Sequence, residues 1–261
     1  MLLFEEMGLD PMLLLSVKEL GFEVPTPIQE KTIPALLKER TDILAFAQTG
    51  TGKTAAFGLP VVQLTDPGLK ATQALVLCPT RELCMQITND LTRFAAHKPG
   101  MTIVPVYGGA SINDQIKKLE KGAAIVVATP GRAVDLINRK KLILSRVKWL
   151  VLDEADEMLS MGFKDDLDTI LSLTPSDRQT LLFSATMPHE MMAIAAKYMK
   201  SPLEISTGKM NAGAENVSHE YFMVHARDRY EALKRIADVN PGYTESYSAA
   251  HVLKPRKWPI T

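Results

Sequence analysis

The sequence predicts a doubly wound α/β domain built on a mostly parallel sheet, with helices on both of its faces. Two observations carry that expectation. Runs such as Ile125-Val126-Val127 and Leu150-Val151-Leu152 are apolar at consecutive positions, the pattern of strands buried on both faces. Amphipathic stretches of helical length separate these runs, and strand–helix alternation packs into a layered parallel fold.

In chain order the expected strands are Asp42–Ala47, Ala74–Cys78, Met101–Val106, Ala124–Ala128, Trp149–Leu152, Thr180–Phe183 and Leu203–Ser206. The segments Thr54–Leu64, Arg81–His97, Ser111–Glu120 and His189–Tyr198 read as helices between them. A polar, glycine-containing connector, Thr207–Asn216, leads to a further strand-like run, Tyr221–Val224. Arg227–Asp238 reads as a helix, which Asn240-Pro241-Gly242 stops with turn residues. From Tyr243 to Thr261 no period survives, so that tail is expected to be poorly ordered. The expected division is therefore one domain over residues 1–242 and a tail over 243–261.

Composition narrows the function classes. The chain has 261 residues, 46% of them hydrophobic, enough apolar side chain for a full core. Thirty basic residues balance thirty acidic ones, which argues against a polycationic nucleic-acid binder and leaves room for a local basic face. Two cysteines, Cys78 and Cys84, cannot staple a domain of this size and read as reduced thiols. The start Met1-Leu2-Leu3-Phe4-Glu5-Glu6 lacks the basic and apolar parts of a signal peptide, and no window approaches the roughly 20 apolar residues of a membrane span. These features predict a soluble cytoplasmic protein with no membrane partner.

Three segments carry chemistry. Ala47-Gln48-Thr49-Gly50-Thr51-Gly52-Lys53-Thr54 sits between an expected strand and an expected helix. It matches the phosphate-loop pattern GxxxxGK[ST] except for Ala47 at the first position. Gly50 and Gly52 let backbone N–H groups curl around phosphate oxygens, and the helix that follows presents its positive end to them. Lys53 can reach the β- and γ-phosphates, while the Thr54 hydroxyl can bind Mg²⁺. Asp153-Glu154-Ala155-Asp156 follows the apolar strand Trp149–Leu152, where an ATPase holds its Mg²⁺, and Glu154 is placed to polarise an attacking water. The same four residues would also serve as the acidic first turn of a helix. Ser184-Ala185-Thr186, the third segment, means little by itself and gains meaning from following a strand downstream of the acidic one.

With these motifs in order, the chain resembles the first RecA-like domain of the DEAD-box RNA helicases, from about Phe4 to Gly242. The family's phosphate loop is AxTGxGKT, which accommodates Ala47. Gly21-Phe22-Glu23-Val24-Pro25-Thr26-Pro27-Ile28-Gln29 is similar to the family's Q motif, with Phe4 as the upstream aromatic. The resemblance implies that Gln29 hydrogen-bonds the adenine edge, that Phe22 stacks on the ring, and that ATP and Mg²⁺ are the ligands. It also implies that Ser184 and Thr186 link the nucleotide site to strand separation through hydrogen bonds to the acidic motif. RNA contacts are implied at Pro79-Thr80-Arg81, at Gly108-Gly109 and at Thr129-Pro130-Gly131-Arg132. Each of these is also ordinary turn chemistry, and each follows an expected strand, so all three would lie along one edge of the sheet. The helix starting near Arg132 would be the wedge that bends one RNA strand.

The family's second RecA-like domain, with its HRxGRxxR arginine fingers, has no counterpart in residues 243–261, and that tail does not resemble the family. The expectation is half of a monomeric helicase that binds nucleotide and is nearly inactive alone. A non-catalytic RNA- or partner-binding module with vestigial motifs is the first alternative, disfavoured by intact Lys53, Asp153 and Glu154. A DNA translocase is the second, disfavoured by the Q motif.

Overall fold

The computed structural model describes residues 2–38, 41–48, 50–207 and 222–239. Thr49, the connector from residue 208, Asn240-Pro241-Gly242 and the tail lie outside the described residues. The chain divides into two compact units, residues 1–214 and 215–261.

The first unit is built on seven strands: β1 (Ile43–Phe46), β2 (Ala74–Leu77), β3 (Ile103–Val106), β4 (Ile125–Ala128), β5 (Trp149–Leu152), β6 (Gln179–Ser184) and β7 (Leu203–Ser206). They pair in the order β3-β4-β2-β5-β6-β1-β7, and every pairing is parallel. The consecutive apolar residues of β1, β2, β4 and β5 are buried on both faces because the period of two along a strand sends alternate side chains to opposite layers, while β7 at the sheet edge buries only Ile205. Ile43 and Ala45 join one core, with Phe57, Ile87, Leu91 and Phe183. Leu44 and Phe46 join the other, with Leu136, Leu167, Ile170 and Met191.

The first layer is carried by α1 (Pro11–Glu19), α2 (Pro27–Lys38), α3 (Lys53–Leu64) and α4 (Arg81–Phe94). The second is carried chiefly by α6 (Pro130–Asn138), α7 (Ala155–Ser160), α8 (Lys164–Leu173) and α9 (His189–Tyr198), with α5 (Ile112–Glu120) near the β3 edge. The two faces are thus covered as the sequence pattern required.

Helix ends follow local chemistry. Thr80 caps α4 by accepting from the Leu83 amide, and Ser111 caps α5 by accepting from the Asp114 amide. The α4 helix ends at Phe94, short of the expected His97, where Ala95 turns the chain.

One expected strand is absent. Phe222–Val224 form no strand, because a strand needs a hydrogen-bonded neighbour and none of the described residues supplies one. Their side chains are exposed, Met223 at 93%. The helix expected over Arg227–Asp238 is present as a 3₁₀ turn, Ala226–Asp228, running into α10 (Arg229–Val239).

Candidate functional site

Because the strands run parallel, every loop that follows a strand's carboxyl end leaves the same edge of the sheet, the edge where open α/β folds bind ligands. The neighbours β5, β6 and β1 bring together the loops beginning at Asp153, Ala185 and Ala47. The neighbours β3, β4 and β2 bring together the loops beginning at Tyr107, Thr129 and Cys78.

The first group surrounds a buried lysine. Gly50 and Gly52 take φ of +80° and +89°, a left-handed backbone open to glycine, and Gly52 starts α3 without a side-chain cap. The Thr51 hydroxyl closes the turn on the Gln48 carbonyl at 2.7 Å. Lys53, only 6% exposed, lies 3.9 Å from an Asp153 oxygen, and its ammonium has no hydrogen-bond partner. A buried cation in that condition is costly unless a ligand completes it. Thr54 follows on the first turn of α3, half-buried.

Asp153 is 3% exposed at the end of β5. Burial pushes its carboxyl up to about 6, against the pull of Lys53, while the charges of Glu154 and Asp156 add to the rise. Glu154 is half-buried and takes φ of +51°, strained for a non-glycine residue, and this turns the chain from β5 into α7. Its amide donates to Asp153 at 3.1 Å.

Asp156 is the joint between this motif and the loop after β6. The Thr186 amide and hydroxyl both donate to one Asp156 oxygen, at 2.9 and 2.8 Å. The Ser184 hydroxyl donates to the Thr186 carbonyl at 2.7 Å. Burial raises the Asp156 carboxyl, but hydrogen bonding led by Thr186 outweighs it and holds the group below the usual range.

Gln29, 4% exposed, ties α2 to the glycine loop. Its carbonyl accepts from the Thr26 amide at 2.9 Å and its amide donates to the Gly52 carbonyl at 3.1 Å. A Cβ on Gly52 would run into the Gln29 amide. One N–H and one lone pair of Gln29 remain beyond these two bonds. Phe22 stacks on Phe4 with ring centroids 6.4 Å apart and meets Phe94 edge-on at 6.3 Å. It is 37% exposed, so part of the ring faces solvent.

The second group is held by protein contacts already in place. The Arg81 guanidinium lies 5.0 Å from the centre of the Tyr107 ring. Arg132 donates from one nitrogen to the Ala110 carbonyl at 3.2 Å and to the Gln115 carbonyl oxygen at 3.0 Å. The Gln115 amide in turn donates to the Tyr107 carbonyl at 3.0 Å. Between these contacts Gly108 and Gly109 present bare backbone, Gly109 at φ +76°. Thr129 precedes α6, with its amide on the Val106 carbonyl, and Pro130 and Gly131 form the helix's first turn. Pro79 and Thr80 lead into α4, where the Thr80 hydroxyl is occupied by capping.

Tyr107, Ala110 and Gln115 were not singled out from the sequence. A signal existed for Gln115: it is a polar residue on the stripe formed by Ile112, Ile116 and Leu119, at helical spacing. Among the described residues no cluster of three or more metal-ligating side chains occurs, and no helix is long and apolar enough to cross a membrane.

The all-parallel sheet and the loops gathered on its carboxyl edge define a RecA-like domain. A family model of the DEAD/DEAH box helicases matches residues 26–194, and the chain belongs to that family. It is 47% identical over 238 residues to the ATP-dependent RNA helicase DeaD of Mycobacterium tuberculosis, covering 91% of this chain and 42% of that protein. It is 48% identical over 236 residues to the ATP-dependent RNA helicase CshA of Listeria monocytogenes, covering 90% of this chain and 45% of that one. Among solved structures, a DEAD box protein from Methanococcus jannaschii aligns with a TM-score of 0.76 at 42% identity, over 90% of this chain and 63% of that one. The chain therefore spans about half the length of the curated relatives it matches.

Proposed function

We propose that residues 1–242 are the N-terminal, ATP-binding domain of an ATP-dependent RNA helicase, cytoplasmic and acting as a monomer, whose second RecA-like domain this chain does not contain. The observation that carries the reading is Lys53: a buried ammonium without a hydrogen-bond partner, at a glycine-lined helix start, facing a buried carboxylate just past the end of β5. A triphosphate supplies the acceptors that Lys53 lacks.

In this reading Gln48, Thr49, Gly50, Thr51 and Gly52 wrap the phosphates with backbone N–H groups. The Gln29 amide uses its remaining donor and acceptor on the adenine edge, and the exposed part of Phe22 stacks on the ring. Thr54 and Asp153 are the oxygen donors for Mg²⁺, which neutralises phosphate charge when bound. Glu154 orients the water that attacks the γ-phosphate, so that ATP and water become ADP and phosphate. Ser184 and Thr186, tied to Asp156, carry the state of the nucleotide site to the loop after β6. The loops at Pro79-Thr80-Arg81, Gly108-Gly109 and Thr129-Pro130-Gly131-Arg132 form half of an RNA-binding face that grips backbone and leaves base sequence unread.

The test is to measure ATP, ADP and GTP binding by calorimetry, then phosphate release with single-stranded RNA, before and after adding a separately expressed second domain. Adenine nucleotides are expected to bind in preference to GTP. Hydrolysis by the chain alone is expected to be lower by a factor on the order of 10³–10⁵, the worth of an arginine finger. Equal affinity for GTP, or undiminished hydrolysis by the chain alone, contradicts the proposal.

A further inference from the structure

We infer that Gln115 is a positioning residue for the proposed RNA face: with Arg132 it forms a bracket that fixes the Gly108-Gly109 loop, and Arg132 serves in the bracket instead of pairing with a phosphate. The inference rests on the reading that this face binds RNA and adds a residue to it.

The geometry is specific. Gln115 is 6% exposed, on the inner side of α5. Its amide donates to the carbonyl of Tyr107, immediately before the two glycines, and its carbonyl oxygen accepts from Arg132. The same Arg132 nitrogen also donates to the carbonyl of Ala110, immediately after them. The bracket therefore grips the dipeptide on both sides. Only one orientation of the Gln115 amide satisfies a carbonyl at one end and a guanidinium at the other, so its two ends are not interchangeable.

The reason for a bracket lies in the glycines. A Cβ at Gly108 would meet nothing within 4 Å, and Gly109 holds a positive φ. Such a pair brings no side chain to pack and has the largest conformational freedom to lose. Backbone N–H groups on a wandering loop bind a phosphodiester poorly, because ordering them is charged against affinity; held in place, they bind without that loss. The third restraint is Arg81, stacked on the ring of Tyr107. Tyr107 of the loop itself, with Arg81, Gln115 and Arg132 from α4, α5 and α6, thus prepares one short stretch of backbone.

The experiment compares the wild-type chain with Gln115→Met, which keeps volume and helix propensity and removes both hydrogen bonds. Hydrogen–deuterium exchange is expected to quicken roughly tenfold over residues 107–111, the loss of a buried bracket, and to stay unchanged over 50–54. Affinity for a single-stranded oligonucleotide, followed by anisotropy across a salt series, is expected to weaken roughly three- to tenfold with the same salt slope, because no charge is removed. Arg132→Met is expected to weaken binding similarly, also without lowering the slope, and the double variant no further than the weaker single one. If Gln115→Met fails to fold, Gln115→Glu keeps an acceptor for Arg132 and loses the donor to Tyr107, so faster exchange is expected at residues 107–109.

Unchanged exchange over 107–111 overturns the inference. So do additive losses in the double variant, or a slope lowered by about 0.7 in Arg132→Met, the signature of one lost phosphate contact on a single strand. If the wild-type chain does not bind RNA, the proposed function fails at that point, and the exchange result by itself still decides whether the bracket holds the loop.

Discussion

Two halves of one sheet edge are built on opposite principles. Around β5, β6 and β1 the charges are buried and incompletely matched: Lys53 has no hydrogen-bond partner, and burial holds the Asp153 carboxyl at about 6. Around β2, β3 and β4 the cations are already engaged by the protein, Arg132 by Ala110 and Gln115, Arg81 by the Tyr107 ring. The first half carries unfavourable electrostatics, which in the proposed reading a charged ligand relieves. The second spends its side chains on fixing backbone and offers that backbone to a ligand. A site of the first kind should respond sharply to charge and pH, and a site of the second kind to geometry.

The largest effect should come from Glu154, whose strained backbone places a carboxylate at the end of β5. In the chain reunited with its second domain, Glu154→Gln is expected to slow phosphate release by about 10²–10⁴, the range of general base catalysis, while ATP affinity changes little. Steady-state kinetics beside calorimetry separate the two. Loss of binding equal to the loss of rate would place Glu154 among the phosphate-holding groups and blur the division of roles.

Next is pH. Asp153 must be ionised to serve a cation, and its raised pKa means that protonation begins as pH falls through about 6. Mg²⁺-dependent nucleotide affinity should be constant from pH 8 to pH 7 and then fall, approaching tenfold per pH unit below about 6. The same group works against the ligand-free fold: with its folded pKa above the unfolded value, the penalty is absent below about 4 and fully present above about 6. Affinity that held steady to pH 4.5 would show that Asp153 is not the metal donor.

Smaller is the effect of Thr186→Val, which removes one of the two bonds to Asp156. Loss of a hydrogen bond to a charged group should lower stability by roughly 1.5 kcal/mol in urea denaturation. It should leave ATP affinity near wild type, because neither member of the pair is among the proposed phosphate-holding groups. Smallest is Arg81→Ala. Its guanidinium is exposed and contacts the protein through the Tyr107 ring, so in the proposed reading its charge can still reach a phosphate. Its loss should lower the salt slope of RNA binding by about 0.7, where Arg132→Met leaves the slope unchanged.

How far these features were legible in the sequence depended on the range of the interactions involved. Strands β1, β2, β4 and β5 were legible because each is a local run of apolar residues buried on both faces, whereas β3 is buried at alternate positions and β7 buries only Ile205. The run Tyr221–Val224 has similar composition, yet Phe222–Val224 form no strand, since pairing is not a local property. The order β3-β4-β2-β5-β6-β1-β7 could not be read from periodicity at all. At the site, the glycine loop and the carboxylates announced themselves through spacing. The bracket of Gln115, Tyr107, Ala110 and Arg132 did not, because it depends on hydrogen bonds between one loop and two helices. Gln29 shows the middle case. The family resemblance implied an adenine contact, while its bonds to Thr26 and Gly52 emerged only once α2 was packed beside the glycine loop.

The contrast between the two halves is tested most directly by one substitution measured against both ligands. Lys53→Ala removes the unmatched charge from the nucleotide half and touches nothing in the RNA half. Calorimetry with ATP and Mg²⁺ should show affinity reduced by roughly a hundredfold or more, as expected when a buried charged partner is lost. Anisotropy with single-stranded RNA in the absence of nucleotide should show affinity within about twofold of wild type, since sites without shared partners behave independently. A loss of RNA affinity in step with the loss of ATP affinity would mean that the two halves form a single site, and the division between a charge-driven half and a geometry-driven half would be wrong.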